Sequence, residues 1–145
     1  MKAVIQRVRQ TTLSVDGKLI SSIPFGLAVY LGVKTGDGEE LCAQMAGKIA
    51  RMRIFEDANG KMNLSVQDVG GEVLLISQFT LYGDCSHGNR PGFTMAERPE
   101  RANQLYQKVG EELRSLGVTV KTGVFGADMK IEQFNDGPVT IIYEI

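Results

Sequence analysis

The chain has 145 residues, of which 43% are hydrophobic, and its 16 Lys and Arg side chains nearly balance its 17 Asp and Glu side chains. This length and hydrophobicity predict one globular domain with one core, and the formal net charge of -1 argues against a protein that grips a long nucleic-acid duplex. Two cysteines and a single histidine exclude a zinc site built from Cys and His, and they argue against a disulfide framework.

The N-terminus and the apolar runs bear on where the chain works. The first ten residues lack the apolar core of a signal peptide, and no apolar run approaches the roughly 20 residues that a membrane helix needs. We therefore expect a soluble, cytoplasmic protein. Charge is uneven, since residues 1–62 hold nine Lys and Arg against six Asp and Glu, so a local basic face is expected in the first half.

The first half of the chain predicts a β-hairpin, a buried strand and a helix. Apolar and polar residues alternate around Asp16-Gly17, a two-residue turn signal, so residues 3–23 are typical of a hairpin. Residues 25–33 form a continuous apolar run, which predicts a strand buried on both faces. Helical spacing of apolar residues then predicts a helix over residues 41–52, with Asp37 as its N-cap residue.

The second half predicts another hairpin, three strands and a second helix. Asn59-Gly60 lies between short strand-like segments, and residues 72–84 predict a strong strand. A loop rich in Gly, Ser, Asn and Pro covers residues 84–99, and apolar spacing predicts a helix over residues 102–116. Two final strands are predicted at residues 118–125 and 139–145.

These elements together predict the fold class. Two main helices among many strands indicate an α+β fold in a single domain that spans residues 1–145. Because at least two tight hairpins occur, we expect a largely antiparallel sheet that curls toward a barrel. No glycine-rich phosphate loop is present, so we expect no nucleotide cofactor.

Polar residues interrupt the strand predicted at residues 72–84. Ser77, Gln78 and Thr80 flank Phe79 in a segment that otherwise resembles sheet core, and buried polar groups cost free energy unless they find partners. Hydrogen bonds to nearby loops are one explanation, and a site that holds a nucleoside or an ester is the other. Because strand residues alternate between faces, all four serve one pocket only at a bend or a strand end.

Gly137-Pro138 comes just before the β-branched segment that ends the chain. Proline has no amide hydrogen for a sheet ladder, so this step must lie on an edge strand, at a strand start or in a special turn. The simplest interpretation is a turn that begins the last strand. An X-Pro bond is also the peptide bond that adopts the cis form at modest cost, about 0.5–1 kcal/mol.

A hydrolase with a side-chain nucleophile is one function that the residues leave open. Cys85 or Thr80 would be the nucleophile, and His87, the only histidine, would have to be the base. His87 lies in a loop rich in Gly and Pro, where a solitary histidine is usually solvated. The residues therefore give a catalytic triad little support.

Two segments resemble the signature motifs of the D-aminoacyl-tRNA deacylase family. They are "SQFTLYGD" at residues 77–84 and "NDGPVT" at residues 135–140. Further similarity in "MKAVIQRV" at the N-terminus and over residues 55–84 extends the resemblance to essentially the whole chain. The chain departs from the family pattern at Tyr82 or Gly83, where alanine is usual.

The resemblance implies a homodimeric, cytoplasmic editing enzyme. Such an enzyme hydrolyses the ester between a D-amino acid and the terminal adenosine at the 3′ end of tRNA, and it also removes glycine misattached to alanine tRNA. The resemblance implies that four residues hold this adenosine and the scissile ester. They are Ser77, Gln78, Phe79 and Thr80.

The resemblance also implies how the enzyme rejects L-amino acids. The Gly137-Pro138 bond would be cis and would reach into the active site of the other subunit. Arg7 would brace the partner's Gly-Pro step, and Met129 would line the amino-acid pocket. Neither a metal nor an organic cofactor is implied.

The residues and the resemblance favour one mechanism. Since no side-chain base is evident, the ribose 2′-hydroxyl beside the ester is the candidate, and a well-oriented neighbouring group reaches an effective molarity of up to about 10⁵–10⁸ M. The backbone N–H of Phe79 or Thr80 is a candidate to stabilise the oxyanion.

A noncatalytic RNA-binding dimer stays open as an alternative, because contacts to one tRNA end need few basic residues. The candidates for such contacts are Lys2, Arg9, Lys48 and Arg51. We expect neither a DNA nor a membrane partner.

Overall fold

The computed structural model describes all residues from 1 to 145. The strands are β1 (Lys2–Val15), β2 (Lys18–Ile23), β3 (Gly26–Gly32), β4 (Phe55–Glu56), β5 (Met62–Leu64), β6 (Glu72–Ser77), β7 (Thr119–Thr122) and β8 (Lys130–Glu144). The helices are α1 (Glu40–Arg51), α2 (Pro99–Ser115) and a short 3-10 helix (Phe79–Tyr82). Neither α-helix has the length and apolar character needed to cross a membrane.

Six of the strands form one mixed sheet. Its order is β2-β1-β3-β6-β7, and β8 pairs with the other edge of β1. The pairings of β1 with β2, β3 and β8 are antiparallel, whereas β3 with β6 and β6 with β7 are parallel. Parallel neighbours need long crossovers, and the two crossovers here contain α1 and α2. The predicted α+β fold in a single domain with two main helices is confirmed.

Side chains, and not a backbone ladder, bring β2 and β7 together. The Ser21 hydroxyl donates to the Thr122 carbonyl at 2.7 Å, and the Lys121 ammonium donates to the Ser22 carbonyl at 2.7 Å. This seam curls the sheet nearly into a barrel. The curl encloses a small inner core, which consists of Val8, Leu13, Ile23, Ala28, Leu74 and Ile76.

Both α-helices pack on the outer face of the sheet and cover a core of 24 buried residues. Tyr106 is the largest buried side chain that α2 adds to this core, and its hydroxyl donates to the Leu75 carbonyl at 2.7 Å. Burial raises the pKa of Tyr106 to about 12, so the hydroxyl stays a donor. The sheet is therefore buried on both faces, which explains the continuous apolar runs in β3 and β6.

The predicted N-cap of α1 is wrong. Glu39 precedes the helix, and no side chain caps its first turn. Asp37 instead accepts a hydrogen bond from the Lys34 backbone N–H at 2.7 Å and pairs with the ammonium group of Met1 at 2.9 Å. The Asp37 carboxylate therefore pairs with the buried ammonium group of Met1 and does not cap the helix. No local sequence pattern indicates this long-range pairing.

Gly137-Pro138 lies inside β8 and not at the start of the last strand, so the predicted turn is wrong. The edge position is the correct alternative, because β8 pairs only with β1 and an edge strand tolerates proline. Gln6 pairs with Thr140 and Val8 with Asn135, so two steps along β1 match five steps along β8. The segment around Gly137-Pro138 therefore bulges out of the ladder, and its peptide bond is cis.

Candidate active site

A cavity of about 630 Å³ opens at the ends of the parallel strands β3 and β6, beside the N-terminus of α2. Its volume is typical of sites that hold small molecules. Eleven of the 18 lining residues are hydrophobic, so the walls are mainly apolar. Leu31 and Ile76 line it from the strands, and Phe125 and Met129 line it from the segment between β7 and β8.

The segment "SQFT" enters the cavity because β6 ends at Ser77. The Gln78 backbone N–H donates to the Leu31 carbonyl at 2.8 Å, after which the chain turns into the 3-10 helix. This strand end lets Ser77, Gln78 and Phe79 line one cavity. Thr80 does not line it, but the Thr80 hydroxyl accepts a hydrogen bond from the Gln78 side-chain amide. The structure thus brings together three of the four predicted residues and holds the fourth beside them.

At the start of the 3-10 helix, two backbone N–H groups have no hydrogen-bond acceptor within the helix. The Leu81 N–H donates to the Gln78 carbonyl at 3.3 Å. The N–H groups of Phe79 and Thr80 precede it and have no acceptor inside the helix, because the first turn of a helix has none. The sequence indicates one or the other of these N–H groups as the donor to an oxyanion, and that role stays a prediction.

An aromatic pair stands at the cavity. Phe79 is 54% exposed, and its ring meets the Phe93 ring edge-to-face with centroids 5.0 Å apart. Gly83 permits this contact, since a β-carbon there would lie 3.1 Å from the Phe93 ring. The sequence motifs did not indicate Phe93, nor Phe125, which also lines the cavity. Their only signal was an aromatic residue beside glycine, which many loops contain.

Three charged residues line the cavity, and both carboxylates among them have partners. Backbone N–H groups of Arg98 at 2.7 Å and Gly36 at 3.2 Å donate to the Glu97 carboxylate and hold the pKa of Glu97 below its usual value. Asp128 pairs with Lys130 at 3.0 Å. The lowered pKa makes the Glu97 carboxylate a weaker proton acceptor, and the Asp128 carboxylate is 86% exposed in its ion pair, so neither has the buried setting of a tuned catalytic base.

Met129 lines the cavity and also packs against the inner core. A side chain at Gly123 would collide with the Met129 sulfur, so this glycine leaves the space that Met129 occupies. The position agrees with the predicted place of Met129 in a pocket wall. Its contact with an amino acid stays a prediction.

The groups of the alternative hydrolase lie outside the cavity. Cys85 is an exposed free thiol, and the exposed His87 has its Nδ1 2.7 Å from the Ser86 hydroxyl. Neither residue lines the cavity. No three His, Cys, Asp or Glu side chains in the chain are arranged to hold a metal ion.

Gly137-Pro138 lies apart from this cavity, beside Arg7. Gly137 has φ 127°, a conformation that favours glycine. Arg7 is only 6% exposed; its Nε donates to the Asp136 carbonyl at 3.1 Å and its Nη1 to the Ile54 carbonyl at 2.8 Å. Arg7 thus braces the segment of its own chain, and a contact with a partner's Gly-Pro step stays a prediction.

We expect Arg7→Met to lower the free energy of unfolding by about 2–3 kcal/mol, since two backbone carbonyls lose a charged donor. Arg9→Met is the matched control. Arg9 pairs with the carboxylate of the same Asp136 at 3.1 Å but is 75% exposed, and exposed ion pairs contribute about 0–1 kcal/mol. Urea unfolding followed by circular dichroism measures both variants. Equal losses would contradict the assignment of Arg7 as the brace.

Sequence comparison relates the whole chain to known proteins. Residues 4–144 match the family model described as D-Tyr-tRNA(Tyr) deacylase. The chain is 50% identical over 145 residues to the D-aminoacyl-tRNA deacylase of Lactobacillus delbrueckii subsp. bulgaricus, with 100% of both chains covered. It is 52% identical over 144 residues to the D-aminoacyl-tRNA deacylase of a Geobacillus species, with 99% of this chain and 95% of the relative covered.

Solved structures share the fold. The c-Myc DNA Unwinding Element Binding Protein superposes with a TM-score of 0.92 at 41% identity, covering 100% of this chain and 99% of that one. A probable eukaryotic D-amino acid tRNA deacylase superposes with a TM-score of 0.88 over 99% of this chain and 98% of the other. At 17% identity, the second similarity shows the fold alone.

The fold, the cavity and the full-length similarities define a hydrolase that acts on carboxylic ester bonds. The chain belongs to the D-aminoacyl-tRNA deacylase family. The family resemblance of residues 77–84 and 135–140 is thereby confirmed.

Proposed function

We propose that this chain is an editing enzyme that hydrolyses the ester between a D-amino acid and the terminal adenosine of tRNA. It spares the L-aminoacyl ester, removes glycine misattached to alanine tRNA, and works in the cytoplasm, where charged tRNA is consumed. The observation that carries the proposal is the cavity at Ser77, Gln78 and Phe79, in a chain 50% identical to an enzyme of that name.

The two sides of the cavity suit the two parts of such a substrate. The exposed Phe79 ring, fixed by Phe93, offers a platform for the terminal adenine, and stacking of a base on an aromatic ring contributes about 1–3 kcal/mol. The apolar wall at Phe125 and Met129 faces the aminoacyl part. The scissile ester then lies near "SQFT", where the free backbone donors are.

The 2′-hydroxyl of the substrate supplies the catalytic group that the cavity lacks. It hydrogen-bonds the attacking water, which adds to the ester carbonyl carbon. The carbonyl oxygen becomes an oxyanion, and the backbone N–H of Phe79, which lines the cavity, stabilises it. The bond between the carbonyl carbon and the 3′ oxygen then breaks as the carbonyl re-forms. The 3′ oxygen takes the proton that the attacking water loses, which passes through the 2′-hydroxyl. The products are a free D-amino acid and tRNA with its 3′-hydroxyl.

A homodimer completes the site. Gly137-Pro138 does not line the cavity of its own chain, and it lies on β8, whose outer edge has no partner strand. On the same strand, Phe134 is 67% exposed and Ile142 is 70% exposed. An unpaired edge with exposed apolar side chains favours association with a second copy. In the dimer, the Gly-Pro step of one subunit reaches the cavity of the other.

Sparing the abundant L-aminoacyl-tRNA requires a rigid obstacle. A 10⁴-fold discrimination needs about 5.5 kcal/mol between transition states. A pocket that prefers one small group gains only about 1–3 kcal/mol. Backbone carbonyls of Gly137-Pro138, set where the β-carbon of an L residue would lie, provide the obstacle. A D side chain points away from them, and glycine has no β-carbon.

Release of labelled amino acid from matched D- and L-tyrosyl-tRNA tests this function directly. We expect the D ester to be cleaved at least about 1,000-fold faster than the L ester, and glycine to be released measurably from alanine tRNA. The control is the spontaneous hydrolysis of each ester without protein. Similar rates of hydrolysis for the D and L esters would contradict the proposal.

The same assay separates the alternatives. A side-chain nucleophile predicts that Cys85→Ala loses the activity, whereas the proposed mechanism predicts that it keeps it. A noncatalytic RNA-binding dimer predicts that tRNA binds without any release of amino acid.

A further inference from the structure

A second, basic groove of about 330 Å³ lies between α1 and the end of β8. Its lining contains no acidic residue and consists of Gln44, Gly47, Lys48, Arg51 and Tyr143. Of the four basic residues that the sequence indicates for RNA contacts, Lys2 pairs with Glu144 at 3.2 Å and Arg9 with Asp136 at 3.1 Å. Lys48 and Arg51 have no carboxylate within ion-pair distance, so their charges are available to a ligand.

Both cations are held close to the protein surface. A β-carbon at Gly47 would lie 2.5 Å from Arg51 Nη2, so the guanidinium folds back over this glycine. The Lys48 Nζ lies 5.3 Å from the centre of the Tyr143 ring. Glycine inside a helix is unfavourable relative to alanine, so α1 gives up stability where Gly47 admits the guanidinium. Two adjacent cations without an acid attract an anion.

The groove and the cavity lie at the same level of the sheet. Tyr143 pairs with Ala3 across β8 and β1. Ala3 pairs with Leu31, which in turn pairs with Ser77 in the cavity. Three strand spacings, roughly 14 Å along the sheet, therefore separate Tyr143 from Ser77. The few nucleotides that precede a terminal adenosine span such a distance.

We infer that this groove binds backbone phosphates near the 3′ end of tRNA, an inference that rests on the proposed function. Each nucleotide carries one negative phosphodiester, and Lys and Arg are its usual partners. Gln44 adds a neutral donor to the same groove. Because phosphates carry no sequence information, the groove grips any tRNA while the cavity selects the ester.

Binding of uncharged tRNA to two charge-matched double variants tests the groove without hydrolysis. The groove variant combines Lys48→Gln with Arg51→Gln, and the control combines Lys18→Gln with Lys61→Gln, both exposed and unpaired beside hairpin turns. We expect filter retention to show about 10-fold weaker binding of the groove variant at low salt, and less than about twofold for the control. The slope of log affinity against log salt should become shallower by about 1.4, the value for two contacts to a single strand. Unchanged affinity and slope would contradict the proposal that this groove binds phosphates.

Hydrolysis of two substrates separates this contact from catalysis. For the groove variant, kcat/KM should fall about 10-fold on D-tyrosyl-tRNA and less than about twofold on D-tyrosyl-adenosine, which has no phosphodiester. An equal fall in kcat/KM on the two substrates would show that the substitutions act on the cavity or the fold. That result would contradict phosphate binding in the groove. If the native chain cleaves neither substrate, the proposed function fails. The tRNA-binding measurement still shows whether the groove binds phosphates.

Gly47→Ala tests whether the position of Arg51 matters as well as its charge. The added β-carbon displaces the guanidinium and leaves the net charge unchanged. We expect tRNA binding to weaken about threefold while the melting temperature stays the same or rises, because alanine favours the helix. Binding equal to that of the native chain would contradict a positioned Arg51.

Discussion

Replacing the 2′-hydroxyl of the terminal adenosine by hydrogen is expected to slow hydrolysis of D-aminoacyl-tRNA by at least about 1,000-fold. The cavity contains no histidine or cysteine, and its carboxylates, Glu97 and Asp128, already have partners. The proposed mechanism therefore assigns the orientation of the attacking water to the neighbouring hydroxyl of the substrate. Single-turnover release of amino acid from tRNA ending in 2′-deoxyadenosine measures the effect.

Two protein variants control for this result. Ser77→Ala and Thr80→Ala, tested separately, should each keep activity within about 10-fold, because neither hydroxyl is the base. The deoxy substrate should also compete with the ribose substrate for binding, which shows that it enters the cavity. Equal rates of hydrolysis on tRNA ending in adenosine and in 2′-deoxyadenosine would contradict the proposal that the 2′-hydroxyl takes part in catalysis.

Gly137→Val should reduce turnover of D-aminoacyl-tRNA by at least about 100-fold, because the Gly-Pro step that we propose to complete the site can no longer hold its position. A β-carbon at Gly137 would lie 2.9 Å from the Val139 backbone nitrogen and 3.3 Å from Arg7 Nη2, in a backbone with φ 127°. Gly70→Val is the matched control. Gly70 also has a positive φ, 64°, but nothing lies within 4 Å of its β-carbon position, so activity should survive.

Mixing Gly137→Val with a variant of the cavity shows whether the step acts across the dimer. Phe79→Asp is suitable, since Phe79 is exposed and lines the cavity. In a mixed dimer, one site has both faults and the other has none, so an equal mixture should regain about a quarter of the native sites. Failure to complement after proven subunit exchange would rule out a shared site, as would full activity of a monomer.

The sequence predicted the elements whose signals are local. Positive φ at Asp16 and Gly17 permits the hairpin turn, and apolar spacing located both α-helices within a few residues. The strand end at Ser77 was one of two arrangements that the alternation of polar residues allowed. The family motifs then indicated the residues around this strand end.

Other features depend on contacts that are distant in the sequence. Residues 130–138 are mostly exposed and carry a proline, so nothing local shows that β8 begins at Lys130; the long partner strand β1 determines it. The buried ammonium group that attracts Asp37 lies 36 positions away in the chain. Phe93 reaches Phe79 only because the loop folds back, so its place in the site emerges in three dimensions alone.

The seam between β2 and β7 has a mechanical consequence for the site. The segment that carries Phe125 and Met129 begins directly after β7, at Gly123. On this side, two side-chain hydrogen bonds, from Ser21 and Lys121, join β7 to β2, and no backbone ladder forms between the two strands. Regions with few backbone bonds open at lower free energy than the core around them. We therefore expect the segment that carries Phe125 and Met129 to be the part of the cavity lining that moves most easily, and, in the proposed enzyme, to accommodate amino-acid side chains of different size.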